Sequence, residues 1–191
     1  MNAPRRLAAL VLLGVAATAT AGTRVAVQGE PFQSKSGGYA IEFPAGWKCD
    51  GSGKDSNASR DGYGLDAISV EVRKHKNAFR AITKGSSEQA LPQELAELLV
   101  DDIKAQGGNE GIEVLASEPA ELGGRPAFRL HLRTRVVIDV GALDYEQIIV
   151  GTATPDGLVL VAYRAPSLHY FAAHRQDFET ALASFRFEAK H

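Results

Sequence analysis

The chain has 191 residues, 45% of them hydrophobic, with 21 Lys and Arg residues against 23 Asp and Glu residues. A chain of this length is expected to form one domain whose core is large enough to need no disulfide. The slightly acidic balance argues against a general nucleic-acid-binding protein, whose binding domain is normally basic. Cys49 is the only cysteine, so no intrachain disulfide is possible. A buried or idle thiol is the simplest interpretation, and an intermolecular disulfide or a redox sensor is the alternative.

Residues 1–21 have the pattern of a secretory signal peptide. Arg5 and Arg6 precede an apolar run, and Ala19-Thr20-Ala21 offers a small-x-small cleavage site. The run is shorter than the about 20 apolar residues of a transmembrane helix, which disfavours an uncleaved membrane anchor. No cysteine ends the leader, so lipid attachment by the bacterial lipoprotein route is not expected. We predict cleavage after Ala21, a periplasmic or secreted location without a stable membrane span, an N-terminal segment 22–35 and one domain over 36–191.

The first predicted strand begins the stretch from Gly38 to Trp47. Its alternating residues would send one set of side chains inward (Tyr39, Ile41 and Phe43) and the other outward (Ala40 and Glu42). Pro44 cannot donate a hydrogen bond to a sheet, so it is expected to end this strand. Trp47, the only tryptophan, is expected to fill the end of the core.

A polar loop is predicted over 49–64, followed by a strand over 67–73 with Ile68, Val70 and Val72 inward and Ser69, Glu71 and Arg73 outward. A helix then follows, and Ser86 with Gln89 forms a candidate capping box at its start. Pro92 either kinks the first turn of this helix or is itself the first helical residue. The helix has an apolar stripe and is expected to end at Gly107-Gly108; the stripe consists of Leu91, Leu95, Leu98, Leu99 and Ile103.

The second half of the chain predicts mainly strands. They cover 112–116, 127–140, 145–152 and 158–163, with turns at 121–126, 141–144 and 155–157. The apolar run 158–163 is typical of a strand that is buried on both faces. A second helix opens at Pro166-Ser167, with Phe171, Phe178 and Leu182 at helical spacing, and 184–187 forms a short strand or tail. These elements predict an α+β fold: an α/β/α sandwich with a central, mainly antiparallel sheet of about six strands and two main helices.

Four stretches of this sequence resemble the PsbP-like domain family, which includes photosynthetic PsbP and the bacterial envelope protein DcrB. They are the opening stretch that ends in Pro44-Ala45-Gly46-Trp47, the segment Gly124-Arg125-Pro126-Ala127-Phe128-Arg129, the strand 158–163 and the ending Ser184-Phe185-Arg186-Phe187. The resemblance spans about residues 32–187. It implies the sandwich fold and a non-catalytic, partner-binding role, and it implies no active-site residue.

One strand carries a row of basic side chains. Arg129, His131, Arg133 and Arg135 follow one another at every second position, opposite Phe128, Leu130 and Leu132, and Arg125 precedes them. Arginine side chains suit carboxylate and phosphate oxygens, which makes this row a candidate face for binding an anion or a partner. The alternative is a solvated row, or one that pairs with nearby acids such as Glu146.

No catalytic, cofactor or metal motif is recognised, so we predict no catalytic residue, no cofactor and no metal site. His169 and His174 are five residues apart on a helix and are interpreted as solvated. Our main hypothesis is an exported, non-enzymatic envelope protein that binds a protein partner or a small anionic ligand. One alternative is a binding protein for a small hydrophobic or anionic ligand held between sheet and helix. The other is a small hydrolase, for which a deep pocket with a histidine and carboxylates would be evidence.

Overall fold

The computed structural model describes residues 24–26, 29–51, 53–106, 111–138 and 141–188. The predicted leader and the predicted helix end at Gly107-Gly108 lie outside these ranges. The described strands are β1 (Arg24–Val25), β2 (Phe32–Ser34), β3 (Tyr39–Ile41), β4 (Lys48–Asp50), β5 (Ser56–Ser59), β6 (Ala67–Arg73), β7 (Gly111–Leu122), β8 (Arg125–Ile138), β9 (Gly141–Thr154), β10 (Gly157–Pro166) and β11 (Arg186–Phe187). The described helices are α1 (Pro92–Ala105) and α2 (Tyr170–Ser184), with a 3-10 turn at His75–Asn77.

The strands form a large and a small antiparallel sheet. The large sheet has the order β1-β4-β5-β6-β10-β9-β8-β7, and the small sheet has the order β11-β3-β2. This arrangement confirms the predicted α+β sandwich, with eight strands in the central sheet rather than about six. The central sheet gains β1, β4 and β5, while the predicted opening strand, β3, lies in the small sheet. β4 and β5 overlap the predicted polar loop, where they pair with each other. In addition, β1 pairs with β4 and β2 with β3, so part of the predicted segment 22–35 is folded with the domain.

Two hydrophobic cores lie on the two faces of the central sheet. Residues Leu158 to Tyr163 of β10 are all buried, as their apolar run predicted. Val159, Val161 and Tyr163 contribute to the core under α2, while Leu158, Leu160 and Ala162 contribute to the core under α1. Because a single strand supplies both cores, β10 lies at the centre of the three layers.

The opening stretch forms part of the α2-side layer. β3 pairs with β2 and with β11, which confirms that the end of the chain returns as a short strand. Ala40 is fully buried, so the predicted alternation of buried and exposed residues is wrong at this position. Trp47 is fully buried, as expected, and its Nε1 donates a hydrogen bond to Asp177 Oδ2 over 2.9 Å. This bond anchors α2 to the segment that precedes β4.

Helix α1 begins at Pro92 rather than at Ser86. Leu91 precedes the helix with an extended backbone (φ −67°, ψ 144°), the conformation that a following proline favours. The Leu91 N–H donates to the Glu94 carboxylate over 3.1 Å, so Glu94 satisfies an N–H group at the helix start. Ser86 makes a different contact, a 2.8 Å hydrogen bond with His75 Nδ1. The capping pattern at Ser86 was therefore misleading, and the proline marked the helix start.

The turns of the β7–β10 region are shorter than predicted. Gly123 and Gly124 alone connect β7 to β8, with φ values of 55° and 79°. Such positive φ angles suit a two-residue hairpin turn whose twist matches that of the strands. The predicted turn over 141–144 is wrong, because these residues pair with β8 as the start of β9. Pro155 and Asp156 form the predicted turn before β10.

The start of β10 leads to a prediction about Gly157. Its φ is 150°, and a Cβ atom at this position would lie 2.0 Å from the carbonyl oxygen of Arg73. We expect Gly157→Ala to lower the free energy of unfolding by roughly 2–4 kcal/mol, because both the backbone angle and the contact with β6 would have to change. Gly64→Ala is the matched control, since nothing lies within 4 Å of a Cβ there. Chemical denaturation that shows equal stability for the two variants would contradict this account.

Candidate functional site

The predicted basic row lies on the α2 side of β8, and its side chains face acidic partners. His131 Nε2 is 2.7 Å from Glu146 Oε2, and Arg133 lies 3.1 Å from Glu113 and 3.4 Å from Glu146. Arg135 lies 3.8 Å from Asp144. Arg129 pairs with Glu179 of α2 through both of its terminal nitrogens. At these positions the structure therefore agrees with the alternative in which the basic row pairs with nearby acids, including Glu146.

The inner half of the row contacts the α2 layer. Arg129 lies over the Phe178 ring at 5.9 Å, and the His131 ring stacks on Phe171 at 5.3 Å. Arg125 similarly lies over Phe187, at 5.3 Å. The outer residues are more exposed, with 41% of the Arg133 side chain and 59% of the Arg135 side chain accessible to solvent. The inner cations thus hold layers together, and only the outer end of the row is open to a partner.

A cavity lies on the opposite face of the sheet, between α1 and strands β6, β8, β9 and β10. It is a small cavity of about 30 Å³ that is partly open to solvent. Its apolar lining comes from α1 and two central strands: Leu99, Ile103, Ile149, Leu160 and Ala162. Its polar lining comes mainly from strand residues at the cavity edge: Ser69, Glu71, Arg73, Gln106, Thr134, Gln147 and Arg164. An apolar surface with a few converging polar groups is typical of small-molecule sites.

A ligand held between sheet and helix was one of the alternatives drawn from the sequence, but the residues of this cavity were not predicted. The outward direction predicted for Ser69, Glu71 and Arg73 is correct relative to Ile68, Val70 and Val72, but it leads into the α1 layer rather than to solvent. Glu71 and Arg73 are 4% and 6% exposed. The sequence does show charged side chains on this short strand. That these side chains are covered becomes clear only from the position of α1.

Glu71 is already neutralised by arginine side chains. Its Oε2 accepts hydrogen bonds from Arg73 Nε and from Arg80 Nη2, each over 2.9 Å. Arg73 also donates to the Ala78 carbonyl over 3.1 Å. The other carboxylate oxygen of Glu71, Oε1, is buried and has no hydrogen-bond partner. One buried oxygen of the Glu71 carboxylate is therefore left without a hydrogen-bond donor.

Arg164 is the arginine of the cavity lining that has no acidic partner among the described residues. It is partly buried, and its guanidinium lies 4.2 Å from the centre of the Tyr145 ring. Among the described residues, no acid forms an ion pair with it and no acceptor takes a hydrogen bond from its side chain. Burial lowers the pKa of Arg164, and Tyr145 partly opposes this effect. An arginine is nevertheless protonated at neutral pH, so the cavity contains a cation without a counter-charge.

The histidines do not all follow the prediction. His169 is exposed, as predicted, whereas the side chain of His174 is only 12% exposed. His174 lies close to Asp61, Asp66 and Asp177. The interpretation of His174 as solvated was therefore wrong, because the spacing within α2 could not reveal acids from the distant segment between β5 and β6.

No protein-family model matches the chain, and no curated protein sequence is similar to it. Solved structures are similar in fold. A mutant of the protein Mog1 has a TM-score of 0.56 at 12% identity, over 83% of this chain and 95% of that one. Cyanobacterial PsbP (CyanoP) from Synechocystis has a TM-score of 0.52 at 14% identity, over 83% of this chain and 91% of that one. A Bacteroides thetaiotaomicron protein has a TM-score of 0.50 at 14% identity, and the match covers 86% of this chain and half of that longer chain.

The chain therefore has a PsbP-like fold, as its four sequence stretches indicated. At these identities the likeness concerns the fold. No described helix combines the length and apolar character that crossing a membrane requires.

The structure assigns different roles to the two ends of the basic row, which a pair of variants can test. We expect Arg129→Ala to lower the free energy of unfolding by about 1–2 kcal/mol, because it removes a partly buried ion pair and the contact with Phe178. Arg135→Ala is the control and is expected to change stability by about 0.5 kcal/mol or less, since its ion pair is exposed. Urea unfolding of the two variants measures the difference, and equal effects would show that Arg129 does not hold α2 on the sheet.

Proposed function

We propose that the protein is an exported, non-enzymatic binding module of the cell envelope, and that its binding site is the cavity under α1. The ligand class that fits is a small molecule with an apolar body and one anionic group. The predicted signal peptide is the support for export. The observation that carries the binding role is Arg164, a cation without an acidic partner at a cavity that combines apolar and polar side chains.

The distribution of groups in the cavity favours an amphipathic anion over other ligands. The side chains of Leu99, Ile103 and Leu160 would cover the apolar body of the ligand. Arg164 would pair with the anionic group in a partly desolvated environment, where charge-assisted hydrogen bonds are stronger than in water. Hydroxyl and amide groups of Thr134 and Gln147 lie at the same cavity and would complete its hydrogen bonds.

The hydrolase alternative has weaker support. No histidine lines the cavity described here. The described chain does contain a serine–histidine contact, between Ser86 Oγ and His75 Nδ1 at 2.8 Å. However, His75 Nε2 lies 2.9 Å from the Thr154 carbonyl, and neither residue is at the cavity. A histidine held between a backbone carbonyl and a hydroxyl fixes the connection before α1, so we assign this pair a structural role.

Binding of decanoate tests the proposed site, because this probe combines an apolar chain with one carboxylate. We expect calorimetry to detect decanoate binding at one site per chain, with decanol binding at least tenfold more weakly. Arg164→Gln should weaken decanoate binding about tenfold or more, because a hydrogen bond to a charged group contributes about 1.5–3 kcal/mol. The decanol affinity should change little in that variant.

Arg186→Gln provides the matched control for this experiment, since Arg186 lies in the small sheet away from the cavity. Ala162→Phe would fill the cavity and should abolish binding of both probes, while near-ultraviolet circular dichroism checks its fold. Equal decanoate binding by the wild type and Arg164→Gln, or no binding by the wild type, would contradict the proposed site.

A second candidate function is docking of a protein partner at the outer end of the basic row. The observation that favours it is the exposure of Arg133 and Arg135 beside Val137, whose side chain is also exposed. Exposed ion pairs contribute little to stability, so their partners can be exchanged at small cost. An acidic protein segment would fit this surface.

Charge reversal at the outer arginines distinguishes docking from ligand binding. We expect the double variant Arg133→Glu and Arg135→Glu to remain folded and to lose an envelope partner that crosslinks to the wild type in intact cells. The matched control reverses two exposed lysines between β6 and α1, Lys76→Glu and Lys84→Glu. A partner that crosslinks equally to both double variants would exclude the basic row as its docking site, and decanoate binding should be the same in both.

A further inference from the structure

We propose that Asp61, Asp66 and His174 form a binding site for a divalent transition-metal ion such as Zn²⁺. Asp61 and Asp66 lie in the connection between β5 and β6, and His174 lies on α2. Each residue offers one ligand atom, and these atoms lie within 4.8 Å of one another. The site is on the α2 side of the sheet, so it is independent of the cavity under α1.

The distances fit a small metal ion with little rearrangement. His174 Nε2 is 2.8 Å from Asp61 Oδ2 and 3.7 Å from Asp66 Oδ2. Two ligands that each lie about 2.1 Å from a tetrahedral Zn²⁺ are roughly 3.4 Å apart. A metal ion would therefore move His174 Nε2 about 0.6 Å further from Asp61 Oδ2 and about 0.3 Å closer to Asp66 Oδ2.

The state of Asp66 is the observation that points to a cation. This residue is 1% exposed, and its Oδ1 accepts three hydrogen bonds, from Ser59 Oγ (2.6 Å), Arg60 N (3.0 Å) and Asp61 N (3.1 Å). Its Oδ2 is buried without a hydrogen-bond partner and faces His174. A buried carboxylate oxygen without a donor is unfavourable, and a metal ion at this point would satisfy it.

The surroundings of His174 resemble those of a metal-bound histidine in part. Its Nδ1 lies 3.9 Å from Asp177 Oδ2, which is too long for a hydrogen bond but places a carboxylate on the side of the ring where one usually supports a histidine ligand. Asp177 is itself held by Trp47 Nε1 at 2.9 Å and by Arg60 Nη1 at 3.4 Å. The edge of the Trp47 ring also contacts the imidazole, with ring centres 5.9 Å apart. Asp177 and Trp47 are thus positioning residues for His174.

The donor set selects the class of metal. One imidazole nitrogen and two carboxylate oxygens suit Zn²⁺ and neighbouring transition metals, whereas Ca²⁺ and Mg²⁺ prefer oxygen ligands alone. Two carboxylates also balance the charge of a divalent ion. The Asp61 side chain is 41% exposed, so a water molecule has access to the remaining coordination position.

To test the site, purified, tag-free protein is first treated with a chelator and then titrated with Zn²⁺ in a calorimeter. We expect one Zn²⁺ per chain, a higher Tm with bound metal, and with Co²⁺ the visible absorption of a four-coordinate site. His174→Ala and Asp66→Asn should each weaken Zn²⁺ binding at least tenfold and remove the Tm increase. Asp66→Asn keeps an Oδ1 acceptor for the three hydrogen bonds, so it is the variant less prone to unfold.

His169→Ala is the matched control, because His169 is an exposed histidine immediately before α2. It should bind Zn²⁺ with wild-type affinity. Absence of Zn²⁺ binding by the wild type would overturn the proposal and leave only the 2.8 Å hydrogen bond between His174 and Asp61. An equal loss of Zn²⁺ affinity in His169→Ala and His174→Ala would show nonspecific binding at exposed histidines. This result would also overturn the proposal. Decanoate binding measured on the same His174→Ala sample separates this result from that for the cavity under α1.

Discussion

Burial of β10 on both faces is the constraint on which the other layers depend. An apolar strand at this position needs a hydrophobic layer on each side, and β10 supplies Val161 and Tyr163 to one core and Leu160 and Ala162 to the other. α2 and the small sheet cover the first of these faces, while α1 covers the second. Since the sheet separates the two layers, a residue substituted under α1 does not contact the cluster of Asp61, Asp66 and His174 under α2. Effects on the two faces should therefore be nearly additive.

The charged groups inside these layers fall into two sets. Most are compensated: Glu71 accepts from Arg73 and Arg80, and buried Asp102 accepts from the backbone N–H groups of Ala81 and Ile82. Arg164 is partly buried and has no acidic partner among the described residues, and Asp66 Oδ2 is buried without a hydrogen-bond partner. Unsatisfied buried polar groups are rare in native proteins because each costs free energy. Their presence at a cavity and beside a histidine is why both places are interpreted as binding sites.

Much of the fold was predictable from local patterns, whereas the sites were not. The apolar run of β10, the single tryptophan and the Pro-Asp-Gly turn each indicated its structure directly, because these signals depend on neighbouring residues alone. The hidden strands β4 and β5 were missed, since their sequence is polar and they are held by pairing with β1 and β6. Asp66 and His174 are more than a hundred positions apart, and only the docking of α2 brings them together. Sequence periodicity likewise showed that Glu71 and Ile68 face opposite ways, but not that both faces are covered.

The width of the sheet explains where the polar sites occur. Eight strands spaced about 4.8 Å apart span roughly 34 Å, whereas a helix with its side chains is only about 10–12 Å across. One helix therefore covers only part of a face, and α1 packs mainly on β7, β8 and β9. The strip next to it carries polar residues, Ser69, Glu71 and Arg73 of β6 and Arg164 of β10. The connection before α1 covers part of this strip, since Ala78 and Arg80 bond to Arg73 and Glu71. On the other face α2 packs on β10 and β3, so the outer part of β8 is left open and carries Arg133 and Arg135. The cavity and the exposed end of the basic row are thus two consequences of the same mismatch between a wide sheet and narrow helices.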